Sequence, residues 1–268
     1  MRPTRAALPR ERPRATPEAR PRPLTCALRA QAAPRTRLRR SRSTRGMTLP
    51  RTLEPEAMDT VEETEAYDAM DHRAVNRAFV DDLLRVAPSP RRVLDLGAGT
   101  ALIPIALAAA APHARVTALD LAATMLRRGA ENVAEAGLTE RVALVVASAT
   151  ALPYRRGDFD VVVSNSLAHH VPDPGSLLAA IARVAGDGAV FVRDLARPAS
   201  TEAVDALVDR YAAGESASAR ELFRASLHAA LTAAEVRALA DAHGLADASV
   251  AMTSDRHWTL SRPARANG

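Results

Sequence analysis

The sequence contains no lysine, so all 36 basic residues are arginines. That is a trait of the whole composition and points to no chemistry. There is one cysteine, Cys26, in an arginine- and proline-rich N-terminal stretch. A lone thiol outside the folded part excludes a disulfide framework, a cysteine nucleophile and a thiolate-ligated metal within it. No apolar run approaches the roughly 18 residues of a membrane span. The longest, Ala101 to Pro112, is short and rich in alanine. The N-terminal stretch also lacks the apolar core of a secretory signal, so the expected compartment is the cytoplasm.

Charge is unevenly placed. Residues 1–46 hold 14 arginines, two acids (Glu11 and Glu18) and seven of the 18 prolines. The remainder holds 22 basic and 29 acidic residues, so the net +5 of the whole chain hides an acidic domain. An acidic domain argues against a nucleic-acid-binding face, which would be basic. The 1–46 composition is that of a disordered tail. Three readings of it stand: an arm for an anionic partner, a transit peptide, or translated upstream sequence with Met47 as the true start. The abrupt change of charge at Gly46-Met47 favours the third. The expected division is a 1–46 tail, a 47–90 helical cap and a 91–262 domain carrying lid helices over 200–230.

What is present centres on Val93-Leu94-Asp95-Leu96-Gly97-Ala98-Gly99-Thr100. Val93, Leu94 and Leu96 suit a strand buried on both faces. Gly97 and Gly99 permit positive φ and close approach of a ligand to the backbone. Thr100 is placed to cap a helix beginning at Ala101. A dinucleotide fingerprint would need a third glycine where Leu102 stands. Asp95 would repel a phosphate and instead suits a cationic group. A nicotinamide-dependent oxidoreductase is therefore disfavoured.

Downstream, Arg115 to Asp120 reads as a second strand ending in an acid. Arg141 to Val146 is a third, Phe159 to Ser164 a fourth and Ala189 to Leu195 a fifth. Helices are expected at 53–86, 101–111, 122–136, 174–185, 200–212, 216–230 and 233–243. The last opens with a Thr232/Glu235 capping box. Asp247 to Thr253 and His257 to Leu260 form a terminal strand pair.

These motifs resemble those of the class I S-adenosylmethionine-dependent methyltransferases, in their small-molecule branch, similar to the quinone-biosynthesis enzymes. The likeness covers about residues 55 to 262 and is strongest from Arg91 to Asp173. It implies a Rossmann-like α/β fold. The sheet would be seven-stranded and mostly parallel, with helices on both faces, a helical insertion before the last two strands and an antiparallel edge strand. It implies S-adenosyl-L-methionine as cofactor, held by Asp95, Gly97, Ala98, Gly99, Asp120, Leu121, Met125, Ser148, Ala149 and Asn165. Ser148 stands where the family often has an acid for the adenine amino group, so that contact departs from the pattern.

The stretch Asn165-Ser166-Leu167-Ala168-His169-His170-Val171-Pro172-Asp173 resembles the small-molecule branch. It lacks the Asn-Pro-Pro-Tyr motif of the enzymes that methylate amino groups of bases or glutamine. His169, His170 and Asp194 are the candidate catalytic groups, because an imidazole can take a proton near neutral pH. Tyr67, Asp71, His72, Arg193 and Arg197 are candidates for the acceptor. Adjacent histidines have no recognised zinc spacing, so no metal is expected at His169, His170 or His257. The implied reaction moves a methyl group to oxygen, sulfur or carbon of a small molecule. An RNA or protein methyltransferase using the basic tail, and a silent cofactor-binding regulatory protein, remain as alternatives. Nothing in the sequence addresses oligomeric state.

Overall fold

The computed structural model describes residues 48–54, 59–68 and 72–265. The 1–46 tail, Met47 and Asp71 lie outside the described residues. Seven strands run β1 (Arg92–Leu96), β2 (Arg115–Asp120), β3 (Val142–Val146), β4 (Val161–Asn165), β5 (Ala189–Leu195), β6 (Ser249–Met252) and β7 (His257–Arg262). Eight helices accompany them: α1 (Val61–Asp68), α2 (Arg73–Val86), α3 (Leu102–Ala110), α4 (Ala123–Glu135), α5 (Pro174–Ala185), α6 (Thr201–Tyr211), α7 (Ala217–Ala229) and α8 (Ala233–Ala242). The sheet order is β3-β2-β1-β4-β5-β7-β6. This is the Rossmann-like arrangement that the sequence resemblance implies, with order reversal between β1 and β4.

The strands are apolar on both faces because helices cover both. Leu94, Leu96, Val162, Val190, Val192 and Leu260 meet α5 and α8 through Leu177, Ile181, Val184 and Val236. Val93, Val116, Ala118, Val163 and Phe191 meet α2 and α3 through Phe79, Leu83 and Leu107. Alternation along β1 therefore places Asp95 on the same face as Val93, toward α2 and α3. The inserted α6 and α7 have a small core of their own, in which Val204, Val208 and Leu227 are buried.

The structure corrects three expectations. The 53–86 segment is not one helix. Thr60 and Glu63 form a reciprocal cap, each side chain meeting the other's backbone N–H at 3.2 Å, and this starts α1 at Val61. The chain upstream, 48–54, forms neither helix nor strand. Thr100 does not cap α3. Ala101 is the residue before the helix, at φ 63°, and no side chain caps it. The antiparallel strand is not the edge. β7 is antiparallel to both β5 and β6 and lies between them, leaving short β6 at the edge. Its buried pattern around Trp258 and Leu260 makes β7 the inner strand, whereas β6 is largely exposed.

The glycine turn is set by close packing as well as by conformation. Gly97 sits at φ 73°, and a Cβ there would lie 2.9–3.1 Å from three side-chain atoms of Leu167. Both the left-handed backbone and the crowding oppose any larger residue. Gly97→Ala is expected to cost about 2 kcal/mol of stability. Thermal unfolding of the purified variant measures it, and an unchanged midpoint would show that the turn relaxes freely.

Candidate active site

Two groups of residues converge at the carboxyl ends of β1, β2, β4 and β5. The first surrounds the glycine turn. Asp95 is 2% exposed, and its Oδ2 is buried without a hydrogen-bond partner. Burial, with the Asp120 carboxylate nearby, pushes its pKa up to about 8. Asp120 accepts from Gly99 N–H at 2.8 Å and from Ala122 N–H at 2.9 Å. Those two bonds fix the carboxylate between the turn and the start of α4. Tyr67, Asn76, Asp95, Ala98 and Asn165 line one small cavity of about 20 Å³. Leu121, beside Asp120, is 67% exposed, whereas Met125 is buried in the first turn of α4. Ser148 bonds Thr150 through hydroxyl and backbone, which occupies part of its capacity. Ala149 packs against the α5 core.

The position of α1 over this turn is held by residues with no motif. Asp68 accepts from Arg128 Nε at 2.7 Å and from Asn132 Nδ2 at 2.8 Å. Asn132 also donates to the carbonyl of Thr100. One amide thus joins α1, α4 and the glycine turn. His72 stacks on Tyr67 at 4.6 Å and contacts the Tyr67 carbonyl, so both aromatic rings belong to the cap.

The second group follows β4. His169 is 4% exposed, and its Nδ1 lies 2.5 Å from Asp194 Oδ1. Burial works to lower the imidazole pKa, but the charge and hydrogen bond of Asp194, with the Glu54 charge, together outweigh it and the net shift is upward. Asp194 shifts downward: burial opposes ionisation, and His169 outweighs it. The two shifts describe one buried ion pair. Asp194 touches no open space and acts by positioning His169. His170 is more exposed, with Nδ1 2.7 Å from Glu54 Oε2. Burial works to raise the Glu54 pKa, and contacts from His170 and Ser226 outweigh it, so the carboxyl sits below its usual range. The Ser226 hydroxyl itself donates to the Leu222 carbonyl, and Glu54 Oε1 has no hydrogen-bond partner.

Glu54 and Arg51 were not singled out by any sequence signal. Arg51 donates to the carbonyls of Ala168, His169, Val171 and Ala229. Thr52 N–H donates to the carbonyl of His228. The 48–54 segment is therefore a strap joining the histidine loop to the end of α7.

The two arginine candidates stand elsewhere. Arg193 is taken up by Asp82 at 2.6 Å and Thr259 at 3.0 Å, with its plane near the Phe79 and Phe191 rings. It ties α2 to the sheet and is not presented to an acceptor. Arg197 is 7% exposed and donates to the Ala230 carbonyl and to Glu235, both at 2.6 Å. It borders a separate cavity of about 430 Å³ beside α6, which shares no lining residue with the glycine turn. Its fork fastens the inserted helices to α8.

The methyltransferase-domain family model matches residues 93–188. The chain is similar to malonyl-(acyl-carrier protein) O-methyltransferase of Geobacter sulfurreducens, 35% identical over 47% of this chain and 46% of that protein. It is also similar to the ubiquinone biosynthesis O-methyltransferase of Methylococcus capsulatus, 37% identical over 40% of this chain and 44% of that one. The matches thus span less than half of each curated relative. Among solved structures it resembles Haemonchus contortus phosphoethanolamine N-methyltransferase 2, determined with S-adenosyl-L-methionine, at TM-score 0.59 and 18% identity. That likeness covers 76% of this chain and 57% of that chain, and it shows the fold. No helix among the described residues is long and apolar enough to cross a membrane.

Proposed function

The chain carries a class I S-adenosylmethionine-dependent methyltransferase domain, and from that premise we propose that it methylates an oxygen of a small-molecule acceptor. The observation that carries the cofactor assignment is Asp95. A buried carboxylate oxygen without a partner, beside two glycines, is a receptor for a cationic ammonium. The residues present fit S-adenosylmethionine. Asp95 would hold its amino group, Asp120 its ribose hydroxyls, and Gly97 and Gly99 would let it lie against the backbone. When bound, it supplies an electrophilic methyl group on a sulfonium.

The protein's remaining work is alignment, exclusion of water and handling of one proton. Tyr67 and Asn76 from the cap and Asn165 at the end of β4 close the turn. His170, held by Glu54 and more open than His169, is the group placed to receive a proton from an acceptor hydroxyl. The choice of oxygen draws on the two O-methyltransferase relatives, whose names concern a malonyl thioester and a quinone precursor.

Calorimetry with S-adenosylmethionine tests the cofactor half, with one equivalent expected to bind. The acceptor half is tested by methyl transfer from labelled cofactor to a panel of phenols, carboxylated thioesters and primary amines. Transfer only to amines would overturn the oxygen assignment.

A further inference from the structure

We propose that Glu54, His169 and His170 form a binding site for one divalent transition-metal cation of the zinc type, with Asp194 orienting His169 from behind. One ligand atom from each of the three lies within 4.8 Å of the others. Two imidazoles and a carboxylate are a donor set that zinc takes in catalytic sites, where the fourth position stays open. Adjacent histidines alone lack such a spacing; the carboxylate arrives from the strap.

Three further observations point to a ligand. Glu54 Oε1 is buried and has no hydrogen-bond partner. Asp194 occupies Nδ1 of His169, which fixes the tautomer and leaves Nε2 as the free nitrogen. A metal-bound histidine whose other nitrogen donates to a carboxylate is the usual outer arrangement of such sites. The two imidazole rings lie close, with centroids 4.0 Å apart, and His170 retains 29% side-chain exposure, which gives a cation a way in.

Rigidity comes from Arg51. Its guanidinium grips the carbonyls of Ala168, His169 and Val171, so the loop bearing both histidines is fixed to the strap bearing Glu54. Bond lengths near 2.0–2.2 Å require His170 Nδ1 and Glu54 Oε2, now 2.7 Å apart, to separate, while any pair near the 4.8 Å limit closes. The cation would replace the hydrogen bond between His170 and Glu54, and in the metal-loaded protein it, rather than His170, would lower the cost of removing the acceptor's proton. Its open position would face an oxygen ligand, water or an acceptor hydroxyl. The site stands on this geometry, and its service to an acceptor rests on the methyl-transfer reading above.

The test uses the full chain, stripped with a chelator and then titrated with ZnCl2 by calorimetry, with metal content measured after dialysis. One equivalent is expected for the wild type. Glu54→Gln should bind at least tenfold more weakly, and Asp194→Asn 10- to 100-fold more weakly. Far-ultraviolet dichroism checks that each variant is folded. Cobalt(II) added in place of zinc should give the visible bands of a four-coordinate site in the wild type alone. Wild-type protein that binds no zinc overturns the site, as does Glu54→Gln binding as tightly as wild type. S-adenosylmethionine binding, measured on the same stripped protein, reports on the cofactor reading independently. A protein that binds cofactor and no zinc loses only the metal proposal.

Discussion

Asp95→Asn is expected to weaken S-adenosylmethionine binding about 100-fold at pH 8 while making the cofactor-free protein more stable. Both effects follow from one buried carboxyl. In the free protein its pKa is pushed up to about 8. The unfolded chain loses that proton near pH 4, whereas the folded one keeps it to about pH 8. Stability therefore falls as pH rises between those values and is level outside them. Asparagine has nothing to ionise, so the variant should not show the fall. Its advantage should grow across the window to about 2 kcal/mol or more at pH 8. Thermal denaturation from pH 5 to 9 measures this, and parallel curves for the two proteins would remove the argument.

Binding runs the other way. A cationic amine draws Asp95 into its ionised form, so wild-type affinity should climb by up to tenfold per pH unit below about pH 8. Calorimetry in buffers of different ionisation enthalpy should show a proton released on binding. Asparagine offers dipole without charge, and its affinity should be flat with pH in that range. A variant that binds as the wild type does would mean that the ammonium sits elsewhere.

Asp194→Ala is expected to cost 3–5 kcal/mol, the range for breaking a buried ion pair by removing one partner. The reason is what it leaves behind. His169 is 4% exposed, and without Asp194 its protonated form would have no counter-charge at Nδ1. The backbone N–H groups of His169 and Leu195 also lose their acceptor. The pH dependence gives a second readout, taken with chelator present. Asp194 is shifted down, so its contribution exists above about pH 4 and is lost as pH falls through its folded pKa. His169 is shifted up, so its contribution is complete below about pH 6.5 and is lost as pH rises through its folded pKa. Wild-type stability should fall off on both sides, and the variant should be flatter. A loss under 1 kcal/mol would show that the pair contributes little.

Much of the sheet was legible because its strands are short apolar runs punctuated by turn residues. Arg115–Asp120 and Ala189–Leu195 fall where the pattern puts them. The helical start was misread for a local reason. The six acids from Glu54 to Glu65 look like one acidic lead-in to a helix, yet Glu63 is half of a cap and Glu54 is packed against an imidazole 116 positions further on. Periodicity has no means of separating them, since the difference lies in tertiary contacts. The arginines were opaque for another reason. In a chain without lysine, arginine serves the surface, the buried ion pairs and the carbonyl clamps alike, so Arg51, Arg193 and Arg197 carry no distinguishing mark. The order of the last two strands was recoverable in principle: β7 alternates around Trp258 and Leu260, whereas β6 is four residues long and mostly exposed.

The strap also bears on the order in which the chain folds. Arg51 closes loops of 117 to 178 residues when it meets Ala168, His169, Val171 and Ala229. Its acceptors exist only after β4, β5 and the inserted helices have assembled, and loop closure over such distances is entropically slow. The parallel sheet and its glycine turn can therefore form first. Docking of Arg51 and Glu54 then becomes a late kinetic phase, one that a stopped-flow refolding experiment would see reported at the histidine loop after the sheet is complete.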